Sequence, residues 1–196
     1  EVMQKYENIC NYIHLPLQAG SNRILKRMNR TYTKEHFIEL ALKIREYLPG
    51  AGISTDIIVG FPGETDDDFQ DTINVMNRVN FDSAYTFKYS PRKGTKATEY
   101  DDQIEESIKQ YRLSRVIALQ KSHTLLRNEV YVGNIENVLI EKKSKRNKSM
   151  WTGRTDSNKW VVFDKSVYNV NDTVPVLINE SRGITLHGTI QKKVKA

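Results

Sequence analysis

The run Ile53-Ser-Thr-Asp-Ile-Ile-Val-Gly-Phe-Pro-Gly-Glu64-Thr65 gathers the residue types of this 196-residue chain best suited to meeting a ligand. Asp56 is a carboxylate inside an apolar strand, and a buried charge demands a partner or a ligand. A salt bridge to a neighbouring strand is the plainer account of it. Gly60 and Gly63 remove side chains where something must come close to the backbone, and Glu64 stands where the following helix favours a carboxylate. Strand ends of this kind are where α/β proteins place ligands. Gln18 and Ser21 stand at the mouth of an earlier strand, with an amide and a hydroxyl able to address a cofactor or a substrate base. Turn and cap chemistry is the competing account of both.

The elements that must position these groups are legible in the periodicity. Ile57, Ile58 and Val59 predict a strand covered on both faces. Thr65 with Asp68 reads as a capping box that opens a helix over 66–79. A strand over 11–15, a helix over 22–28 capped by Ser21, a helix over 34–48 capped by Thr33 and a strand over 84–89 repeat the same grammar. Phe37, Leu40, Ala41, Ile44 and Leu48 share one face of the second helix. The alternation predicts a parallel sheet with right-handed crossovers, and a periodic segment over 103–129 reads as a connecting helix. Beyond Gly133, strand-forming stretches at 136–140, 150–155, 160–163, 173–178 and 184–189 predict a small antiparallel barrel of the oligonucleotide-binding kind. Gly153 and Gly188 would be its bends. The chain is thus expected to divide into residues 1–130 and 131–196.

Net charge is +6, and its distribution says more than its size. Residues 1–130 carry 18 basic and 18 acidic side chains, whereas residues 131–196 carry 12 and 6. A basic unit joined to a neutral one suggests a polyanion-binding attachment. Lys192, Lys193 and Lys195 read as a solvated tail, and the excess persists without them. In the second unit Trp151, Arg154, Lys159, Trp160 and Phe163 interleave stacking faces with cations, a mixture that suits exposed bases and phosphates. Core packing of alternate aromatics is the competing account, with one of the pair Trp160 and Phe163 inward and the other outward.

The one cysteine, Cys10, excludes an intrachain disulfide and reads as a strand-packed thiol. No metal site is expected from the spacing of His14, His36, His123 and His187. No stretch approaches the ~20 apolar residues of a membrane span, and the first residues do not resemble a signal peptide. The default compartment is the cytoplasm, and the chain reads as the remainder of something longer.

The ordered motifs His14-Leu-Pro-Leu-Gln-Ala-Gly-Ser21, Leu25-Lys-Arg-Met-Asn-Arg30, Tyr32-Thr33, Ser54 to Thr65 and Tyr89-Ser-Pro-Arg-Lys-Gly-Thr95 resemble the radical S-adenosylmethionine (SAM) methylthiotransferases, particularly the tRNA-modifying MiaB type. Gly153-Arg-Thr155, Asn158-Lys159 and Leu186-His-Gly188 resemble the TRAM domain of that family. The resemblance implies an α/β fold: the later βα units of a partial, open radical SAM barrel, followed by a small antiparallel OB-like barrel. It implies S-adenosylmethionine and two 4Fe-4S clusters in the full-length enzyme, and methylthiolation at C2 of an isopentenylated adenosine beside the tRNA anticodon. The cluster cysteines are absent from this chain, so the fragment alone is expected to be inactive, with the cluster-binding portion of the same protein as its missing partner. Gln18, Ser21, Asp56, Gly60, Gly63 and Glu64 would serve the cofactor. Arg92, Lys93, Trp151, Arg154, Lys159 and Phe163 would serve RNA, the anticodon stem-loop being the implied partner. A non-catalytic RNA-binding module, or a methylthiotransferase acting on a ribosomal protein or on threonylcarbamoyl-adenosine, is the alternative.

Overall fold

The computed structural model describes residues 1–191; Lys192, Lys193 and Lys195 lie outside the described residues. In chain order the elements are α1 (Val2–Lys5), β1 (Tyr12–His14), α2 (Asn22–Arg27), α3 (Lys34–Tyr47), β2 (Gly52–Val59), α4 (Asp66–Val79), β3 (Ser83–Lys88), a 3-10 turn (Lys96–Glu99) and α5 (Glu106–Glu129). Five strands follow: β4 (Ile135–Lys143), β5 (Met150–Thr155), β6 (Trp160–Asp164), β7 (Thr173–Arg182) and β8 (Thr185–Ile190). Two compact units emerge. One comprises Ile13–Pro49 and Ile53–His123; the other comprises Glu1–Tyr12, Gly50–Gly52 and, among the described residues, 124–191. The division falls inside α5, and the second unit takes in the first residues of the chain, where Asn11 N–H donates to Asp156 at 2.8 Å.

The first unit is built on a sheet ordered β1-β2-β3, with β2 and β3 parallel. Ile53, Ile57 and Val59 point to the side where Phe37 and Ala41 of α3, Phe69, Ile73 and Met76 of α4 and Val116 of α5 form the core. The opposite face of β2 is only partly covered. Asp56 and Ile58 are half-buried there, and their register partners Tyr85 and Phe87 are 57% and 51% exposed. The expectation of a strand enclosed on both faces is therefore corrected: helices cover one face only. The capping box forms as the sequence predicts, since Thr65 accepts from Asp68 N–H and Asp68 accepts from Thr65 N–H.

In the second unit the strands close as β4-β5-β6-β8-β7 around Val138, Ile140, Val161, Phe163, Val174, Val176, Ile178 and Leu186, all fully buried. Every pairing is antiparallel except β6 with β8. That exception is obligatory, because an odd number of strands cannot alternate direction all the way round a closed barrel. Cys10 departs from expectation. It lies exposed ahead of β1 and packs in no core.

Candidate functional site

At the strand ends of the first unit, β1 and β2 are stitched together by Leu15 N–H donating to Ser54 O and Gln18 N–H donating to Asp56 O, both at 2.8 Å. Thr55 Oγ1 accepts from Leu17 N–H at 2.9 Å, and Tyr32 O–H donates to the carbonyls of Pro16 and Leu17 at 3.1 Å. Gln18 is held in this mouth with φ of 66°, a conformation that a residue with a long side chain seldom adopts. Across the half-covered face, His14 Nδ1 bonds Ser54 Oγ at 2.7 Å and His14 Nε2 lies 3.4 Å from Asp56 Oδ2. The neighbouring-strand partner that Asp56 required is His14. Tyr85 stands edge-on to the same imidazole, with ring centroids 5.9 Å apart.

The glycine turn is organised by its own chain. Glu64 is 3% exposed and folds back so that Oε2 accepts from Gly60 N–H at 2.7 Å and from Arg112 Nη1 at 2.7 Å. Burial raises its pKa, while the Gly60 N–H and Arg112 oppose that rise. Gly60 has φ of 70°, and a Cβ there would meet Lys109 Cγ at 2.4 Å. Gly63 has φ of 76°, and a Cβ there would meet Asp102 Oδ2 at 2.4 Å. The groups that approach these glycines in the structure are thus Lys109 and Asp102. Ser21 is 3% exposed and donates to Asp68 Oδ1 at 2.5 Å while capping α2, so its hydroxyl is committed locally. Of the six groups expected to serve a cofactor, Asp56 alone keeps a half-exposed side chain; Gln18 is buried at 7%.

In the barrel, the outward positions of β5 and β6 bring Arg154 opposite Trp160. The Arg154 guanidinium lies 4.1 Å from the Trp160 ring centroid and Lys142 Nζ lies 4.6 Å from it. Arg154 is oriented by Asn158 Oδ1 at 2.5 Å and is paired with Glu141 at 3.1 Å. Val162 and His187 are register partners beside them, and both are half-buried.

Two stretches of the chain match known families. Residues 1–76 match the Radical SAM superfamily and residues 129–190 match the TRAM domain. The chain joins a radical SAM segment to a TRAM domain. It is 47% identical over 190 residues to the tRNA-2-methylthio-N(6)-dimethylallyladenosine synthase of Fusobacterium nucleatum, an alignment covering 97% of this chain and 44% of that relative. The synthase of the same name from Acetivibrio thermocellus is 45% identical over 188 residues, covering 96% of this chain and 39% of that relative. The one from Thermoanaerobacter is 44% identical over 193 residues, covering 98% and 41%. The chain spans less than half the length of these curated relatives.

The TRAM barrel sorts the residues expected to contact RNA. Trp151 and Phe163 are 4% and 0% exposed and belong to the core, so neither offers a ring face to a base. Lys159 is 6% exposed, with Nζ over the Tyr131 ring at 5.5 Å. These three placements correct the expectation of surface contact, and the cause is strand alternation, which turns Trp151 and Phe163 inward with Gly153 and Val161. Arg154 stays accessible in part, and Arg92 and Lys93 lie exposed in the loop after β3. The aromatic group on the outside is Trp160, named in the sequence among the interleaved residues. Its cation partner Lys142 belongs to the run Glu141-Lys-Lys-Ser-Lys-Arg-Asn-Lys148, which reads in sequence as a solvated hairpin loop or as a phosphate clamp.

Proposed function

We propose that this chain is the part of a radical SAM methylthiotransferase that shapes the cofactor's adenosine side and holds the substrate RNA. The whole protein would insert a methylthio group at C2 of isopentenylated adenosine beside the tRNA anticodon. The observation that carries the reading is the 44–47% identity, over 96–98% of this chain, to relatives whose name states that product.

Iron–sulfur clusters do not fit the residues at hand. Among the described residues no group of three His, Cys, Asp or Glu could hold a metal ion, and Cys10 is a lone exposed thiol. Their ligands belong to the rest of the protein. A sulfonium nucleoside fits the donor set of the strand ends, because Asp56 offers a carboxylate for ribose hydroxyls next to the apolar Ile58, both half-exposed. When bound, S-adenosylmethionine supplies the deoxyadenosyl and methyl fragments. His14 orients Asp56, and the buried Gln18 mouth fixes the edge of the site. Ser21, Gly60, Gly63 and Glu64 act through the backbone path they impose. Arg92, Lys93 and Arg154 meet phosphates of the anticodon stem-loop, and Trp160 with its two cations forms the platform for an unpaired base. No helix among the described residues is long and apolar enough to cross a membrane.

The test is direct. The full-length protein carrying this chain, with reconstituted clusters, is incubated with S-adenosylmethionine, a sulfur source, reductant and tRNA bearing isopentenyladenosine. Nucleoside mass spectrometry should show the 2-methylthio derivative of that base. A methylthio group on ribosomal protein instead, or on threonylcarbamoyl-adenosine alone, overturns the substrate assignment.

A further inference from the structure

We infer that Arg112, carried by α5, is a positioning residue for the strand-end turn: it clamps Glu64 against Gly60 N–H and so sets the backbone that faces the cofactor's adenosine. The inference rests on the cofactor reading above and adds to it a residue far from the turn in sequence. One guanidinium makes three hydrogen bonds. Nη1 donates to Glu64 Oε2 at 2.7 Å and to Glu64 O at 3.0 Å, while Nη2 donates to Asp66 Oδ1 at 2.8 Å. It therefore grips both the end of the turn and the first residue of α4. Arg112 and Glu64 are 4% and 3% exposed, so neither charge can exchange its partner for water.

A buried ion pair is weak evidence for stability, because desolvation offsets much of its attraction. Its value here is geometric. Gly60 sits at φ of 70°, and its N–H is fixed by the same Oε2 that Arg112 holds. α5 touches the turn a second time through Lys109, whose Cγ occupies the space a Gly60 Cβ would need. The charged groups facing Glu64 are Arg112 from α5 and Asp68 from α4; Asp66 shares the guanidinium. A lysine at position 112 would keep the charge but not the planar fork that spans two acceptors.

The experiment uses the full-length protein with reconstituted clusters and S-adenosylhomocysteine as a redox-inert probe. Affinity is read by calorimetry, and hydrogen exchange is read at the amides of residues 60–64. Arg112→Met should weaken binding by about tenfold and speed exchange at Gly60. Adding Glu64→Gln removes the unpaired buried carboxylate, so the melting temperature should recover. Affinity should nevertheless stay at least about fivefold below wild type. Arg112→Lys should fall between wild type and Arg112→Met. Wild-type affinity in the double variant together with wild-type Gly60 exchange overturns the inference, even if Arg112→Met alone fails to fold. If the wild-type protein does not bind the probe, the cofactor reading fails separately, and Gly60 exchange in the double variant still decides the clamp.

Discussion

Asp68 shows how much a single side chain carries in this fold. Its Oδ2 accepts from Thr65 N–H at 2.9 Å and Thr65 Oγ1 at 2.7 Å, its Oδ1 accepts from Ser21 Oγ, and Arg23 binds it from α2. Burial pushes its carboxyl up, but the hydrogen bonds from Arg23, Ser21 and Thr65 outweigh burial and hold it well below the usual carboxylate range. With a native pKa below the unfolded value of ~3.9, the ion stabilises the fold above that pH. The contribution is lost as pH falls through the native value. Asp68→Asn should lower stability at neutral pH by about 2 kcal/mol. Its unfolding free energy should also fall less between about pH 5 and pH 2 than that of wild type. Denaturation series across that window check both, and parallel acid dependence of the two proteins would assign the acid sensitivity elsewhere.

At the scale of elements, Gly153 on β5 and Gly188 on β8 explain how five short strands close. A Cβ at Gly153 would meet Leu139 O of β4 at 2.2 Å, and one at Gly188 would meet Leu177 O of β7 at 2.4 Å. Each glycine lies beside a register shift in the partner strand, at Ile140/Lys142 and at Ile178/Glu180. Neighbouring strands press close where the barrel turns its corners, and backbone atoms cannot yield as a flexible side chain can. Gly153→Ala should cost about 2–4 kcal/mol, measured by urea unfolding of the TRAM transition. A loss below about 0.5 kcal/mol would show that the corner relaxes. Both glycines were legible in the sequence as bends, as were the capping box and most strand and helix limits, because these depend on local pattern. The Arg112 clamp was not legible: its acceptor lies 48 positions away, and helical periodicity says nothing about which remote turn a charged residue meets. Trp151 and Phe163 were misplaced for a related reason. Alternation fixes which residues share a face, but not which face is inward until the register of closure is known. Cys10 failed in the opposite sense, since the strand expected to pack it begins only at Tyr12 and leaves the thiol exposed ahead of it.

For the whole molecule, the decisive quantity is where the excess positive charge stands relative to its partners. Lys145, Arg146 and Lys148 lie exposed around the turn after β4, and Lys142 lies against Trp160. Arg154, by contrast, is already half-neutralised by Glu141, and Lys159 is buried. Counterion release depends on cations that reach phosphates, with the logarithm of affinity falling by about 0.7–0.9 per contact as the logarithm of salt rises. Lys145→Gln, Arg146→Gln and Lys148→Gln should each reduce that slope for tRNA by up to about one unit, whereas Lys159→Gln should leave the slope unchanged and lower the melting temperature instead. Trp160→Ala should behave differently from both groups. It removes a stacking surface, so binding of single-stranded RNA should weaken by about 1–3 kcal/mol while the slope stays within half a unit of wild type, roughly the resolution of a single-contact count. Binding titrations of the full-length protein at several salt concentrations separate the three patterns. Equal slopes for wild type and the hairpin variants would move the RNA surface off β4 and β5 and onto the loop of Arg92 and Lys93.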